Sequence, residues 1–500
     1  MKRKVPTMKN IRRTLAALLV IAMLILPLAA CKDNGNEGPQ TSGNVAVTTT
    51  PQTFVETEGY DPEGRKYDGY TYRILRYDSE KQGGWVGRPN DIFNEDHTAG
   101  ILEEAVYRRN KLVEEQLGVT IELFTSHKTF VDDVGKSASD PSAAYDLLLP
   151  RLNDVAKILT NDYIRDWKEL ELDTTYSWWD KNSIDTFTMA GRVFAMSSDL
   201  TFVDKLSSLA VIVNQANAEK LQLQSLIPLV QKHEWTIDKM LELANYATTE
   251  ISGVKGLYTQ NDNSYYFLHS AGIETVTIED DKLVCNLNND RAITVLQKAY
   301  AALNAEYCRN RQYDNGKTTA TSDFVQGFVQ QEGGGLFMLR SVESFYEIVK
   351  HTTDYVVLPM PIYDDSVKEY CSSVNGYTAV ALCLPKTCSR DTDDRTADVI
   401  QLLSMYSNRE VMPKLYNVVL GTRFAGSADN SEMLRLIFSN RLYDRGLYWS
   451  AGIRNTVIIT KGAIANTEST VASTITKNLN SINGALAGIY DKALTYSFDK

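Results

Sequence analysis

Between Tyr70 and Pro150 the hydrophobic period switches repeatedly between two and 3.6 residues, and that alternation restricts the chain to an α/β architecture. Tyr70 to Tyr77 alternates aromatic, polar and aliphatic residues, the period of a strand. Leu102, Val106, Val113 and Leu117 then share one helical face, and Gly118 supplies the stop. Val119 to Phe124 returns to period two, with Thr120 and Glu122 opposite Val119, Ile121 and Leu123. Phe130 to Lys136 is helical again, and Tyr145 to Leu149 is a short buried strand closed by Pro150. This order predicts the opening of a doubly wound α/β lobe.

Later segments continue the alternation. Gly191 to Met196 and Leu209 to Val213 read as strands around Ser197-Ser198-Asp199. Trp235 to Met240 opens a helix, with Thr236 placed to cap it, Asp238 at its positive end and Trp235 placed to staple onto Met240. Gly335 to Leu339 and Tyr355 to Leu358 are further apolar strands. At the C-terminus Val471, Ile475, Leu479, Ile482, Leu486 and Ile489 line one helical face.

The first 65 residues have a different character. Lys2, Arg3, Lys4, Lys9, Arg12 and Arg13 precede an almost wholly apolar run from Leu15 to Leu28. That run suits a secretion signal and is short for a permanent membrane span, which needs about 20 apolar residues. Leu28-Ala29-Ala30-Cys31 closes it and resembles the bacterial lipobox, so residues 1–30 are expected to be removed and Cys31 to be lipidated. Residues 31–65, rich in Asn, Gly, Thr, Ser, Pro and Glu, are expected to form a flexible tether. The folded part is then expected at the outer face of the cytoplasmic membrane.

Without residues 1–30 the chain has 46 Lys and Arg against 63 Asp and Glu, a net of −17. An acidic surface argues against nucleic acid or anionic lipid as a partner. About 430 residues follow the tether, enough for two lobes. Five cysteines remain beyond Cys31: Cys285, Cys308, Cys371, Cys383 and Cys388. Their spacing shows neither a disulfide framework nor a zinc knuckle. No Gly-x-Ser-x-Gly occurs, and His97, His127, His233, His269 and His351 never approach His-x-x-x-His spacing. Gly333-Gly334-Gly335 leads into a strand without a following Lys-Ser or Lys-Thr, so it is no phosphate loop. No catalytic residue, metal or cofactor is expected.

Several segments together resemble the extracellular solute-binding proteins of carbohydrate-type ABC transporters, the maltose-binding-protein-like family. They are Leu117-Gly118-Val119, Tyr145 to Pro150, Arg192 to Met196, Trp235 to Met240, Gly335 to Met338, and Asp354 to Pro361. Val211-Ile212-Val213-Asn214 departs from the pattern by lacking aromatics, and Gln331 to Gly335 by its glycine content. The resemblance implies a periplasmic-binding-protein-like fold: two lobes, each a sheet flanked by helices, joined by a multi-crossing hinge, with ligand held in the cleft. By analogy the crossings fall near Asp199–Leu209, Asp354–Pro359 and Thr378–Pro385. Lobe 1 is then 66–205 plus 355–378, and lobe 2 is 206–354 plus 379–500.

Ligands of open α/β sheets bind outside the carboxyl ends of the strands, and sugars call for flat aromatics together with polar hydrogen-bonding groups. These rules and the resemblance select Trp85, Arg151, Asn153, Asp199, Tyr265, Tyr266, Arg340 and Asn375. All but Trp85, an aromatic in the loop after the first strand, have a structural alternative. Arg151, Asn153 and Asp199 suit capping, Tyr265 and Tyr266 suit the core, Arg340 suits an ion pair, and Asn375 suits an Asn-Gly turn. Trp178 and Trp179 are read as packing residues. The expected function is capture of a small solute, most consistent with a sugar or oligosaccharide, by a monomer that delivers it to a permease. A membrane-anchored glycan-active enzyme and a sensor lipoprotein with the same fold are the alternatives.

Overall fold

The computed structural model describes residues 59–77, 91–95, 98, 100–126, 129–140, 144–311, 321–330, 333–348, 350–351, 354–416, 428–449 and 470–498. Its first part follows the alternation read above: β1 (Tyr70–Tyr77), α1 (Ile101–Leu117), β2 (Val119–Ser126), α2 (Phe130–Ser139), β3 (Leu147–Leu149) and α3 (Val155–Thr160). β1 lies between two parallel neighbours, with Tyr70 opposite Val119 and Ile74 opposite Leu147. Val113 and Leu117 of α1 are buried against this sheet, while Leu102, Ala105 and Val106 share a core with Phe202, Leu206, Ala210 and Ile212. Gly118 ends α1 at φ 71°, its N–H donating to Glu114 O at 2.8 Å. A Cβ there would lie 2.0 Å from Asp68 Oδ1, so both conformation and space demand glycine.

A second sheet follows from β4 (Leu209–Asn214), α4 (Ile237–Glu250), β5 (Lys255–Thr259), α5 (Ser264–Ser270), the hairpin β6 (Val276–Glu279) and β7 (Lys282–Cys285), α6 (Asp290–Asn304), β8 (Cys308–Asn310), α7 (Thr321–Phe328), β9 (Gly335–Ser341) and β10 (Tyr355–Leu358). Its order is β8-β5-β9-β4-β10, with β4 antiparallel to both neighbours. Thr236 caps α4 as expected, its Oγ1 accepting the N–H of Lys239 at 3.1 Å. Trp178 and Trp179 are buried, and both indoles donate to Gln401 Oε1.

The first sheet is completed in the same way as the second. Val380 to Leu384 runs antiparallel beside β3, with Leu148 bridged to Cys383, and Met196 bridges Leu382 on its other side. In each sheet the inserted antiparallel strand is the first one after the chain crosses between lobes. The crossings run side by side: Ser208 bridges Val374, and the Asn375 N–H donates to Ser207 O at 3.0 Å.

This pairing corrects the expected division after residue 354. Tyr355–Leu358 is hydrogen-bonded to β4 in the second sheet, so 355–358 is not a crossing and does not join the first lobe. Conversely, 380–385 pairs in the first sheet, and α8 (Asp393–Tyr406) packs on α1. α9 (Ala428–Ser439) packs on β10 again, and α10 (Val471–Leu494) lies on β7 and on α3. The folded body also begins earlier than expected. Tyr60, Arg65 and Tyr67 all converge on the buried carboxylate of Asp398, which draws 60–65 into the folded body.

One continuous set of buried apolar side chains runs from Leu75, Leu148 and Phe187 on the first sheet's side to Val211, Leu257 and Leu339 on the second, through Tyr443, Tyr448 and Trp449. Among the described residues, no helix is long and apolar enough to cross a membrane.

Candidate functional site

The carboxyl ends of the strands in both sheets, together with the hinge, define the site. On the first sheet β1 ends at Tyr77, and β3 leads into Arg151, Asn153 and Asp154. The Arg151 guanidinium lies 4.2 Å from the Tyr77 ring centroid, while its Nε donates to Asp154 Oδ2 at 2.8 Å. The Asn153 N–H donates to Gly376 O at 3.2 Å. Its side-chain Oδ1 is buried and has no hydrogen-bond partner.

Gly376 is small for a reason. A Cβ there would sit 2.9 Å from the ring of Tyr448, whose hydroxyl donates to Val374 O at 3.1 Å. The segment Arg445–Tyr448 thereby rests on the Leu152–Asp154 turn and on the hinge at once. Trp449 follows, fully buried and edge-on to Phe187 at 6.1 Å, with its indole N–H unpartnered.

On the second sheet, β5 leads into Gln260, Asn261, Asn263 and Ser264, and β9 ends at Arg340. Arg340 is buried, its Nη1 donating to Gln260 Oε1 at 3.0 Å and its Nε to Ser344 Oγ at 3.3 Å. Asn263 Nδ2 donates to Leu339 O at 3.0 Å and so ties the two strand ends together. Glu343 is buried beside them with Oε2 unpartnered. Burial pushes its carboxyl up to about 7, and the Arg340 charge offsets this only in part.

The predicted residues therefore separate into groups. Arg151, Asn153 and Asn375 come together around Gly376 and Tyr448. Arg340 stands at the second lobe's strand ends. Asn375 is a turn former: its Oδ1 accepts the Tyr377 N–H at 3.0 Å, and its carbonyl accepts those of Thr378 and Ala379. Tyr265 and Tyr266 lie on α5, and both are buried, hydroxyl to hydroxyl at 3.1 Å. Trp85 and Cys31 lie outside the described residues.

Asp199 belongs to a different structure, a buried charge network at the first crossing. It accepts Lys205 Nζ at 2.9 Å and Asn408 Nδ2 at 2.8 Å. Asp204 lies 3.6 Å from Lys205 and 3.5 Å from Arg441, which also pairs with Asp180. Burial alone would lower the Lys205 ammonium, but Asp199 and Asp204 outweigh it and raise it.

Sequence reasoning missed Tyr77, Gln260, Ser264, Glu343, Tyr377, Tyr448 and Trp449. Tyr77, Gln260 and Glu343 carry a signal, since each sits at or just after the end of a predicted or observed parallel strand. Tyr377 shares the Asn375 turn and stays 37% exposed. Tyr448 and Trp449 have no such marker.

A Ser–His–Asp array also exists. His269 Nε2 lies 2.9 Å from Asp444 Oδ2, and His269 Nδ1 contacts Ser373 Oγ. All three residues are at most 2% exposed, and Asp444 additionally accepts the N–H groups of Thr275 and Leu447. Burial would raise Asp444, but the bonds from His269 and Thr275 outweigh it and hold the carboxyl below its ordinary range. Such an array clamps α5, the hinge and the 444–447 segment together. Among the described residues, no group of His, Cys, Asp and Glu could hold a metal.

A cavity of about 690 Å³ lies elsewhere, lined by Ser252, Lys255, Asn304, Arg309, Gln330 and Gly334 among others. It sits largely at the amino ends of β5, β8 and β9, away from the strand ends where α/β sheets bind ligands. The site is therefore assigned to the junction of the lobes.

No family model matches the sequence, and no curated protein does. Solved structures do resemble it. Maltose-bound MalE3 of T. maritima superposes with a TM-score of 0.55 at 13% identity, over 82% of this chain and 99% of that one. An ABC substrate-binding protein from Listeria monocytogenes in complex with cycloalternan gives 0.56 at 13% identity, over 83% and 99%. The galacto-N-biose-/lacto-N-biose I-binding protein of the ABC transporter from Bifidobacterium longum, in complex with lacto-N-biose, gives 0.52 at 11% identity, over 85% and 99%. The fold is that of the two-lobed solute-binding proteins. At these identities the likeness concerns the fold alone.

Proposed function

We propose that the chain is a lipid-anchored extracellular receptor that captures a small polyhydroxylated solute, a sugar or oligosaccharide, between its lobes and delivers it to an ABC transporter permease. One observation carries this reading. Where the 445–448 segment packs on the 152–154 turn, the buried acceptor Asn153 Oδ1 is unpartnered, and so is the buried indole N–H of Trp449, the residue after Tyr448. An orphaned buried polar group costs about 1–3 kcal/mol, so a folded protein keeps such groups where a ligand completes them. A sugar hydroxyl donates and accepts at once, and its ring presents an apolar face to an aromatic. The buried hydroxyl of Ser264, at the second lobe's strand ends, is a third unpartnered group of this kind.

The structural neighbours named above hold maltose, cycloalternan and lacto-N-biose, which favours the same ligand class here. The lipobox-like Leu28-Ala29-Ala30-Cys31 supports anchoring at the outer face of the cytoplasmic membrane. Tyr60 is held on Asp398 in the folded body, so the proposed tether lies before it.

The test is thermal shift and calorimetry of the mature chain against mono- and oligosaccharides, peptides and other small solutes. A dose-dependent rise with one glycan series is expected, since a ligand that binds only the folded state stabilises it by mass action. Asn153→Ala and Trp449→Phe should each weaken that binding about tenfold or more without loss of the fold. Rises with peptides alone would discard the sugar, and turnover of any glycan would discard the receptor.

A further inference from the structure

The C-terminal helix α10 is placed to do more than fill space. At 24 residues it is about 36 Å long, and it touches both lobes. Its apolar face lies on the β6–β7 hairpin, which leaves the second lobe between α5 and α6, and the Cys285 N–H donates to Asn483 Oδ1 at 3.1 Å. The other end belongs to the first lobe. α10 packs on α3, and Lys492 Nζ lies 3.0 Å from Asp162.

Beyond the helix, Thr495 to Phe498 makes a dense anchorage on the first lobe. The Tyr496 hydroxyl donates to Glu169 Oε1 at 3.0 Å, and its ring meets Phe194 edge-on at 5.3 Å. The Phe498 ring lies 4.0 Å from the guanidinium of the buried Arg165, and its carbonyl accepts Arg390 Nη2 at 2.9 Å. Arg165 is fixed in turn by Asp393 and Glu169, and its backbone pairs with Leu384 in a short extension of the first sheet.

We propose that α10 and its tail form a strap that restrains separation of the lobes, in addition to the backbone crossings at the hinge. Moving the lobes apart requires either stripping the apolar face of α10 from the hairpin or detaching the last turns of α10 from α3 together with Tyr496 and Phe498 from the first lobe. The tail is short and held largely by polar and cation–π contacts, whereas the helix buries a long apolar stripe. The tail is the end that releases, and the extent of cleft opening follows its attachment. This inference rests on the two-lobed fold and not on the identity of the solute.

The test compares the mature chain with its Tyr496→Ala/Phe498→Ala variant, both without ligand, by small-angle X-ray scattering and amide hydrogen exchange. The variant should show a larger radius of gyration. Exchange in 151–154 and 260–264, the strand ends facing the other lobe, should be about tenfold faster, as expected for a local opening made easier. Identical scattering, with faster exchange confined to 495–498, would overturn the strap. If the double variant does not fold, Lys386→Ala/Lys492→Ala keeps both tail aromatics and removes the ion pairs to Asp162 together with the Lys386 contacts to Ser497 O and the Tyr496 ring. It should then give the same changes at smaller amplitude, and no change in either readout would equally overturn the proposal.

Discussion

Replacing Glu343 by Gln removes one titration while leaving size and shape nearly unchanged, so its effect on stability should depend on pH in a way that can be worked out in advance. The carboxyl is pushed up to about 7 from its ordinary 4.5 by burial. That displacement of roughly 2.5 units, at 1.36 kcal/mol per unit, corresponds to about 3 kcal/mol. The group is buried, so solvent screening does not reduce the figure. The folded chain holds this proton more tightly than the unfolded chain. Its contribution to stability is fully present below the ordinary value, is lost as pH rises through about 7, and above that leaves an unpaired buried carboxylate. Arg340 is the charge that offsets this in part, while Asp204 and Lys205 lie on the short helix packed against the same turn. The measurement is the difference in urea-unfolding free energy between variant and parent from about pH 5 to pH 8. Other carboxyls raised by burial, such as Asp91 and Asp146, occur in both proteins and cancel. The variant should gain up to about 3 kcal/mol relative to the parent towards the alkaline end. A difference that stays flat across this range would refute the reasoning, because it would mean that Glu343 does not sit uncompensated at the end of β9.

Lys205→Met should destabilise by about 3–5 kcal/mol in chemical denaturation, since Asp199 and Asp204 would lose the buried cation that compensates them. Asp444→Asn should cost a similar amount and flatten the acid side of the stability profile. A carboxyl held below its ordinary range contributes stability above that range, and the contribution is lost as pH falls through the depressed value. Gly376→Ala should leave α-helical circular dichroism intact while weakening ligand binding in calorimetry, because the new Cβ would displace Tyr448 from the hinge. Denaturation midpoints measured in parallel should fall by no more than the 1–3 kcal/mol usual for overpacking.

The elements that sequence made legible are those whose pattern is local. The β1–α1–β2–α2–β3 order, the Gly118 stop and the Thr236 cap each depend on residues within one or two turns of one another, and each forms as its spacing implies. The missing aromatics of Val211-Ile212-Val213 also have a local explanation once the sheet is known. β4 is buried at every position between β9 and β10, and a strand covered on both faces reads as a plain aliphatic run. What sequence could not supply was partner choice. Tyr355–Leu358 and Val380–Leu384 are both short apolar strands, and nothing in their composition says which sheet each joins; only the non-local ladders to β4 and β3 decide it. The site shows the same division. Arg151 and Asn153 follow the parallel strand β3, where the strand-end rule puts ligand-facing groups, and their place beside the hinge is legible from that order alone. Asp199 and Asn375 obey the same rule and are used otherwise, one to hold Lys205 and the other to turn the chain, because a hinge places short polar residues after strands for its own closure. Tyr448 and Trp449 reach the site only through a return of the chain from α9. Their position depends on the whole fold, because no pattern within α9 or the 445–449 segment marks them.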